Sequence, residues 1–227
     1  MKNAIVSCSG GIDSVVTANY VKKKLNYKNL TILFFNYGQR NLTKERYSSK
    51  KCSRALKAKF VEINLPELKN LSGSLINNNK KFKEIGRNEL KDVSSEIKKW
   101  YVPNRNAIFL SYALGLAESL FITSKKAHDI FVGFKYEGKD GYPDTSKKFI
   151  RAFNNLSNIS TKGHYKIFAP LINLDKESII LLGKKLGVDF KNTFSCYTGK
   201  SRHCKKCLAC ALRKEGFYWA NLQDPAP

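Results

Sequence analysis

The segment Ala4-Ile5-Val6-Ser7-Cys8-Ser9-Gly10-Gly11-Ile12-Asp13-Ser14 passes from a short apolar run, through two glycines, into a stretch with helical spacing. Val15, Val16, Ala18 and Val21 make the expected buried face of a helix over residues 12–25, so the local reading is strand, loop, helix. Two glycines and a helix N-terminus bring backbone N–H groups to one point, which favours an anion such as a phosphate. Gly10 and Gly11 let the backbone approach it, Ser9 and Ser14 offer hydroxyls, and Asp13 is suited either to hold Mg²⁺ or to cap the helix. A Gly-Gly turn can also be plain helix entry. The loop has neither the lysine of G-x-x-x-x-G-K-[ST] nor the spacing of G-x-G-x-x-G.

Outward from this loop the pattern repeats. Apolar strands are expected at residues 30–36, 59–63, 129–134 and 165–171, and helices at 42–56, 105–120, 146–156 and 176–186. Alternation of this kind predicts an α/β fold, a Rossmann-like parallel sheet with flanking helices. Residues 65–102 break the pattern: rich in Asn and Lys, they read as a mobile insertion, with a short helix near residues 89–100, acting as a lid or contact surface. The expected division is an α/β domain over residues 1–190 and a small C-terminal segment over 191–227.

The chain has 227 residues, with 41 Lys+Arg against 18 Asp+Glu, a formal charge of +23. Its 42% hydrophobic content supports a folded core, which excludes a disordered basic tail. No uninterrupted apolar run of membrane-spanning length and no leader pattern is seen, so the expectation is a soluble, cytoplasmic protein without a membrane partner. A basic surface suits polyanions, but the lysines are dispersed and the aromatics sit in apolar runs such as ILFFNY, so nucleic acid is not the favoured partner.

Cys196-x₇-Cys204-x₂-Cys207-x₂-Cys210 places four thiols within 15 residues. The spacing suits a tetrahedral Zn²⁺; an iron–sulfur cluster or a redox dithiol uses similar spacings, and zinc is preferred. Four sulfurs leave no open coordination position, so the ion is expected to brace the segment rather than catalyse. His203 is an unneeded spare ligand, Cys52 is expected to be structural and Cys8 a small buried residue beside the loop; His128 and His164 receive no role.

The SGGxDS loop after an N-terminal strand resembles the ATP pyrophosphatase superfamily, with an adenine nucleotide α-hydrolase-like fold. Further motifs narrow this: Tyr37-Gly38-Gln39-Arg40, Val102-Pro103-Asn104-Arg105-Asn106, Gly141-Tyr142-Pro143-Asp144, Ala169-Pro170-Leu171 with Lys176 and Glu177, and Ser195-Cys196-Tyr197. With the cysteines they span almost the whole chain, and the set resembles the 7-cyano-7-deazaguanine synthase family. The resemblance implies that ATP and Mg²⁺ activate the carboxylate of 7-carboxy-7-deazaguanine, that ammonia gives an amide, and that a second activation gives the nitrile. It implies zinc at the four cysteines, a nucleotide site at Cys8, Ser9, Gly10, Gly11, Ile12, Asp13, Ser14, Val15, Val16, Thr17 and Ala18, and a homodimer. Developing charge on phosphorus makes Asp13, Arg40, Arg105 and Lys176 the candidate catalytic residues. Gln39, Asn106, Tyr142 and Asp144 are the candidate substrate-binding residues, Tyr142 by stacking and Asp144 by accepting ring N–H bonds.

Four positions depart from that family's usual pattern. Asn104 stands for Gly, Asn41 for His and Thr145 for Cys, and Gly138 stands where an Asp is usual, with Glu137 and Asp140 nearby. An offshoot that stops at the amide, or acts on another carboxylate such as a DNA base precursor or a protein terminus, is one alternative; a tRNA-modifying ATP pyrophosphatase is another.

Overall fold

In the computed structural model, residues 1–78, 80–135, 141–163, 165–198 and 201–226 are described, apart from the side chain of Lys91. Five strands, β1 (Asn3–Ser7), β2 (Asn29–Asn36), β3 (Lys59–Asn64), β4 (His128–Val132) and β5 (Ile167–Phe168), form one parallel sheet in the order β3-β2-β1-β4-β5. Both faces are covered, so β1 and β2 are nearly continuous apolar runs rather than alternating ones. The helices are α1 (Ile12–Lys23), α2 (Leu42–Ala55), α3 (Ser94–Trp100), α4 (Arg105–Ser124), α5 (Lys147–Ser160), α6 (Lys176–Lys185) and α7 (Leu208–Trp219).

Successive β1 residues point to opposite faces. Ala4 and Val6 join Val15, Ala18 and Val21 of α1 on one side, while Ile5 joins Leu110, Ala113 and Leu114 of α4 on the other. Two helices carry side-chain caps where the sequence supplies Ser or Asp: Ser146 Oγ accepts from Phe149 N, and Asp175 from Ser178 N. Helix α4 runs four residues beyond the expected end, and its 20 residues are long and apolar enough to cross a membrane by length and composition. Polar residues punctuate it, so it forms no uninterrupted apolar run in the sequence. Its Asn106, Leu110, Ala113, Leu114 and Ala117 face inward against β1 and β4, while Tyr112 and Ile122 are exposed.

The irregular segment holds α3 and two 3₁₀ turns, Pro66–Leu71 and Asn88–Lys91. It also supplies buried apolar side chains, Leu75, Ile76, Ile85, Ile97 and Trp100, to the same core cluster as α4 and the cysteine segment. Trp100 is 1% exposed and packs on Phe82 and Tyr197. Burying a side chain of this size contributes about 1.5–3 kcal/mol. A backbone bond from Leu75 N to Lys99 O closes the segment on itself, and one from Ile85 N to Lys206 O ties it to the cysteine segment.

Candidate active site

The chain leaves β1 towards β2 and β3, then crosses to β4 and β5, so the strand order reverses between β1 and β4. A crevice outside the carboxyl ends of two such strands is where open α/β sheets bind ligands. A cavity of about 280 Å³ lies there, walled by Ser7 and Ser9 at and just after the end of β1, Val132 and Gly133 at the end of β4, Arg105 and Phe109 of α4, and Phe194, Ser195 and Tyr197 beside the cysteines.

The loop is shaped by contacts that leave no room for substitution. Gly10 has φ +85°, and a Cβ on it would stand 2.6 Å from Ser48 Cβ and 2.8 Å from Glu45 O. A Cβ on Gly133 would stand 2.8 Å from Ser14 N, so β4 and the start of α1 meet backbone to backbone. Around the loop, Cys8 N donates to Leu33 O, Ser49 Oγ donates to Cys8 O, and Phe194 N donates to Gly10 O. Ser9, Gly11, Ile12, Asp13 and Ser14 line the cavity at the N-terminus of α1. Cys8, Gly10, Val15, Val16, Thr17 and Ala18 lie behind them, packed in the core or under the loop. Asp13 makes no cap: both its carboxylate oxygens accept from Lys176 Nζ at 2.7 Å, joining α1 to α6.

Arg105 lies on the opposite wall. Its Nη1 donates to Tyr37 Oη at 3.1 Å, and its Nε is buried with no acceptor among the described residues. Burial works against the charge, but Tyr37, Tyr142, Tyr197 and Asp144 outweigh it and hold the group above its ordinary pKa. Tyr142 lines the cavity and stacks on Tyr101, with ring centroids 5.5 Å apart. Asn106 also lines it, donating from its backbone N to Asp144 Oδ2 and from Nδ2 to Asp144 O. Asp144 is buried, and that burial raises its pKa.

Three of the expected catalytic and substrate-binding residues stand outside the cavity wall: Arg40, Gln39 and Asp144, whose Oδ2 is taken by Asn106 N. Arg40 Nη1 reaches Leu75 O at 3.4 Å, which fastens the irregular segment. Gln39 is 4% exposed; its Nε2 donates to Phe35 O and Glu45 Oε2, and its Oε1 accepts from Tyr37 N.

Glu45, one turn into α2, does line the cavity and was not singled out from the sequence. Its Oε1 accepts from Asn41 Nδ2 at 2.8 Å and its Oε2 from Gln39 Nε2 at 2.9 Å, while burial raises its pKa. The available signal was Asn41-x-x-x-Glu45, one helical turn directly after the Tyr-Gly-Gln-Arg motif.

The unusual positions have physical explanations where they are described. Asn104, at φ 52° and ψ 18°, holds the left-handed conformation that a glycine takes readily and that asparagine tolerates best among other residues. Asn41 Nδ2 also donates to Cys196 O at 2.6 Å, bridging Glu45 to the cysteine segment. Thr145 lines the cavity and donates to Tyr142 O. Glu137, Gly138, Asp140 and His164 lie outside the described residues.

The sulfurs of Cys196, Cys204, Cys207 and Cys210 all lie within 4.8 Å of one another. A tetrahedral ion with Zn–S near 2.3 Å needs sulfur–sulfur edges of about 3.8 Å, and Cys204 Sγ and Cys210 Sγ stand 3.8 Å apart. Backbone N–H groups of Thr198 and Cys204 point at Cys196 Sγ, and those of Lys206 and Cys207 at Cys204 Sγ, which favours thiolates. The cluster fits zinc. His203 is turned to other work, accepting from Ser195 N at its Nε2.

An SGGxDS loop at the switch point of a Rossmann-like sheet, beside a cluster of four cysteines, defines an α/β protein with a glycine loop at its topological crevice and a C-terminal segment whose thiols fit a metal ion. The sequence model of the family described as "Queuosine biosynthesis protein QueC" matches residues 3–221, and the chain belongs to that family. It is 38% identical to the 7-cyano-7-deazaguanine synthase of a Nitratiruptor species, covering 99% of this chain and 97% of that protein. It is 36% identical to the synthase of Rickettsia felis (99% and 98%) and 35% identical to that of Methanosphaera stadtmanae (97% and 96%). Among solved structures, the NMN synthetase of Francisella tularensis superposes with a TM-score of 0.44 at 15% identity, covering 97% of this chain and 84% of that one.

Proposed function

We propose that this protein converts 7-carboxy-7-deazaguanine and ammonia to 7-cyano-7-deazaguanine, using ATP to activate first the acid and then the amide. The observation that carries this reading is the shared cavity: the anion loop Ser9–Ser14 and the Arg105–Tyr37 pair face one space, as a carboxylate awaiting transfer of an adenylyl group requires. A carboxylate repels nucleophiles, and attaching AMP supplies a leaving group.

In this reading the N-terminus of α1 with Ser9 and Ser14 receives the phosphates, and Lys176 offsets charge building on phosphorus. Asp13 is the residue suited to hold Mg²⁺, which when bound neutralises phosphate oxygens. Arg105 orients the acceptor carboxylate, Tyr142 offers a face for the heterocycle, and Asn106 and Asp144 fix the start of α4. Arg40 and Gln39 support the wall from behind. Zinc at the four cysteines holds residues 194–198 against the loop. The protein works on a small molecule in the cytoplasm, with residues 1–190 and 191–227 acting as scaffold and brace. A second copy of the chain completes a homodimer.

The test is to supply ATP, Mg²⁺, ammonium and 7-carboxy-7-deazaguanine and follow the heterocycle by mass spectrometry. Nitrile, formed at least about 100-fold more slowly with Lys176→Met, supports the reading. Amide alone supports the offshoot that stops one step earlier, and an unchanged heterocycle with ATP binding intact overturns both.

A further inference from the structure

The proposed reaction moves protons as well as phosphate. Ammonia attacking an acyl adenylate must lose one N–H proton after the C–N bond forms. The adenylated amide must lose two more: one leaves a neutral imidate, and with the second the N–H electron pair becomes the third C–N bond while the C–O bond to AMP breaks and its pair leaves on the phosphate oxygen. A cavity built only of cations and hydroxyls offers nowhere for these protons to go.

Two carboxylates line the wall among the described residues, and they differ in availability. Asp13 is taken up by cations, paired through both oxygens with Lys176 and suited to hold Mg²⁺. Glu45 forms no salt bridge among the described residues and accepts only neutral amide donors, one on each oxygen, so a lone pair on each remains. Gln39 and Asn41 thereby fix the carboxylate's orientation from behind. Its main chain abuts Gly10, and its carboxyl, in the same cavity wall, feels the charge of Arg105.

Resting on the function proposed above, we infer that Glu45 is the proton acceptor for the nitrogen: it takes the proton released when ammonia adds and those released as the amide becomes the nitrile, passing each to water between steps. Burial raises its basicity, which suits a group that must receive a proton near neutral pH. The charged and titratable groups facing it are Arg105 of α4, which lowers its pKa, and Tyr37 after β2, whose own pKa burial pushes up to about 12. Asp13, Lys176, Lys135 and Arg213 line the same cavity.

The test compares wild-type protein with Glu45→Gln and Glu45→Asp, all checked for zinc content and melting temperature. Three rates are read: ATP–pyrophosphate exchange with the acid, amide formation from ammonium, and nitrile formation from added 7-carbamoyl-7-deazaguanine. Exchange involves no N–H proton and stays within about threefold in Glu45→Gln, whereas nitrile formation falls about 100-fold or more. In wild type the nitrile rate climbs with pH as the carboxylate ionises; Glu45→Gln loses that limb and Glu45→Asp retains it at reduced rate. Equal losses in exchange and nitrile formation, or an unchanged pH profile in Glu45→Gln, overturn the inference by showing a structural role. If wild type makes only amide, the amide rate takes the place of the nitrile rate. If wild type does not act on the heterocycle at all, the functional reading fails, and the assignment of Glu45 fails with it.

Discussion

Asn104 shows how a single residue records a backbone demand. Its φ of 52° places it in the left-handed region at the mouth of α4, one residue before Arg105. Read from sequence alone, an Asn in place of the expected Gly looks like a change in the pocket; the structure shows Asn104 meeting a conformational requirement that glycine meets as readily. Asn104→Gly is therefore expected to leave the melting temperature nearly unchanged, while Asn104→Ala costs about 1 kcal/mol, or about 3 °C in melting temperature for a chain of this size. Differential scanning calorimetry of the two variants checks it. Gly10 is stricter, since conformation and space both forbid a side chain. Gly10→Ala should push the loop from Glu45 and Ser48 and reduce ATP-dependent pyrophosphate release at least tenfold, measured beside the melting temperature so that a damaged loop is told from an unfolded chain. Lys176→Met leaves Asp13 unpaired at the cavity wall and removes a cation from the phosphate region. Its expected signature is a loss of roughly 10²–10³ in turnover with the fold intact by circular dichroism.

At the scale of elements, the short paired cysteine spacings made the four-thiol cluster legible, because turn geometry alone can gather sulfurs. Its connection to the cavity was not legible, because that runs through main-chain atoms and one buried asparagine side chain. Phe194 N donates to Gly10 O, and Asn41 joins Cys196 O to Glu45, so the braced segment and the loop form one wall. Removing zinc with a chelator is thus expected to abolish turnover although no step needs the ion as a Lewis acid. It should also raise amide hydrogen exchange in residues 194–198 and in the Ser9–Ser14 loop together. Exchange confined to the cysteine segment, with the loop still protected, would contradict this coupling. The irregular segment escaped sequence reading for the opposite reason. Without periodicity, Leu75, Ile76, Ile85 and Trp100 gave no sign that they share a core with α4, yet they do. Glu45 was hidden in the same way: on a polar-faced helix a glutamate reads as solvated until the fold sets α2 against the loop.

For the whole molecule, the β1-loop-α1 unit carried most of the architecture, since a strand feeding a helix through glycines demands a parallel partner and a covering layer on each face. What composition could not decide was the meaning of +23. The basic residues are dispersed over helices on both faces of the sheet: Lys22 and Lys23 on α1, Lys50 and Lys51 on α2, Lys98 and Lys99 on α3, Lys147 and Lys148 on α5, Lys184 and Lys185 on α6. The exposed aromatic pair Tyr218 and Trp219 is already covered in part by Arg87, whose guanidinium lies 4.6 Å from the Tyr218 ring and pairs with Glu215. Charge spread in this way attracts polyanions without selecting a sequence or shape. RNA added to the protein should therefore bind with an affinity that falls steeply between about 50 and 200 mM salt. Conversion of the free heterocycle at about 150 mM salt, the physiological range, should be unchanged by that RNA. Turnover that requires RNA, or an RNA affinity that persists at high salt, would transfer the cavity from a small-molecule synthase to a nucleic-acid-modifying enzyme, and a single titration read by filter binding and by mass spectrometry separates the two.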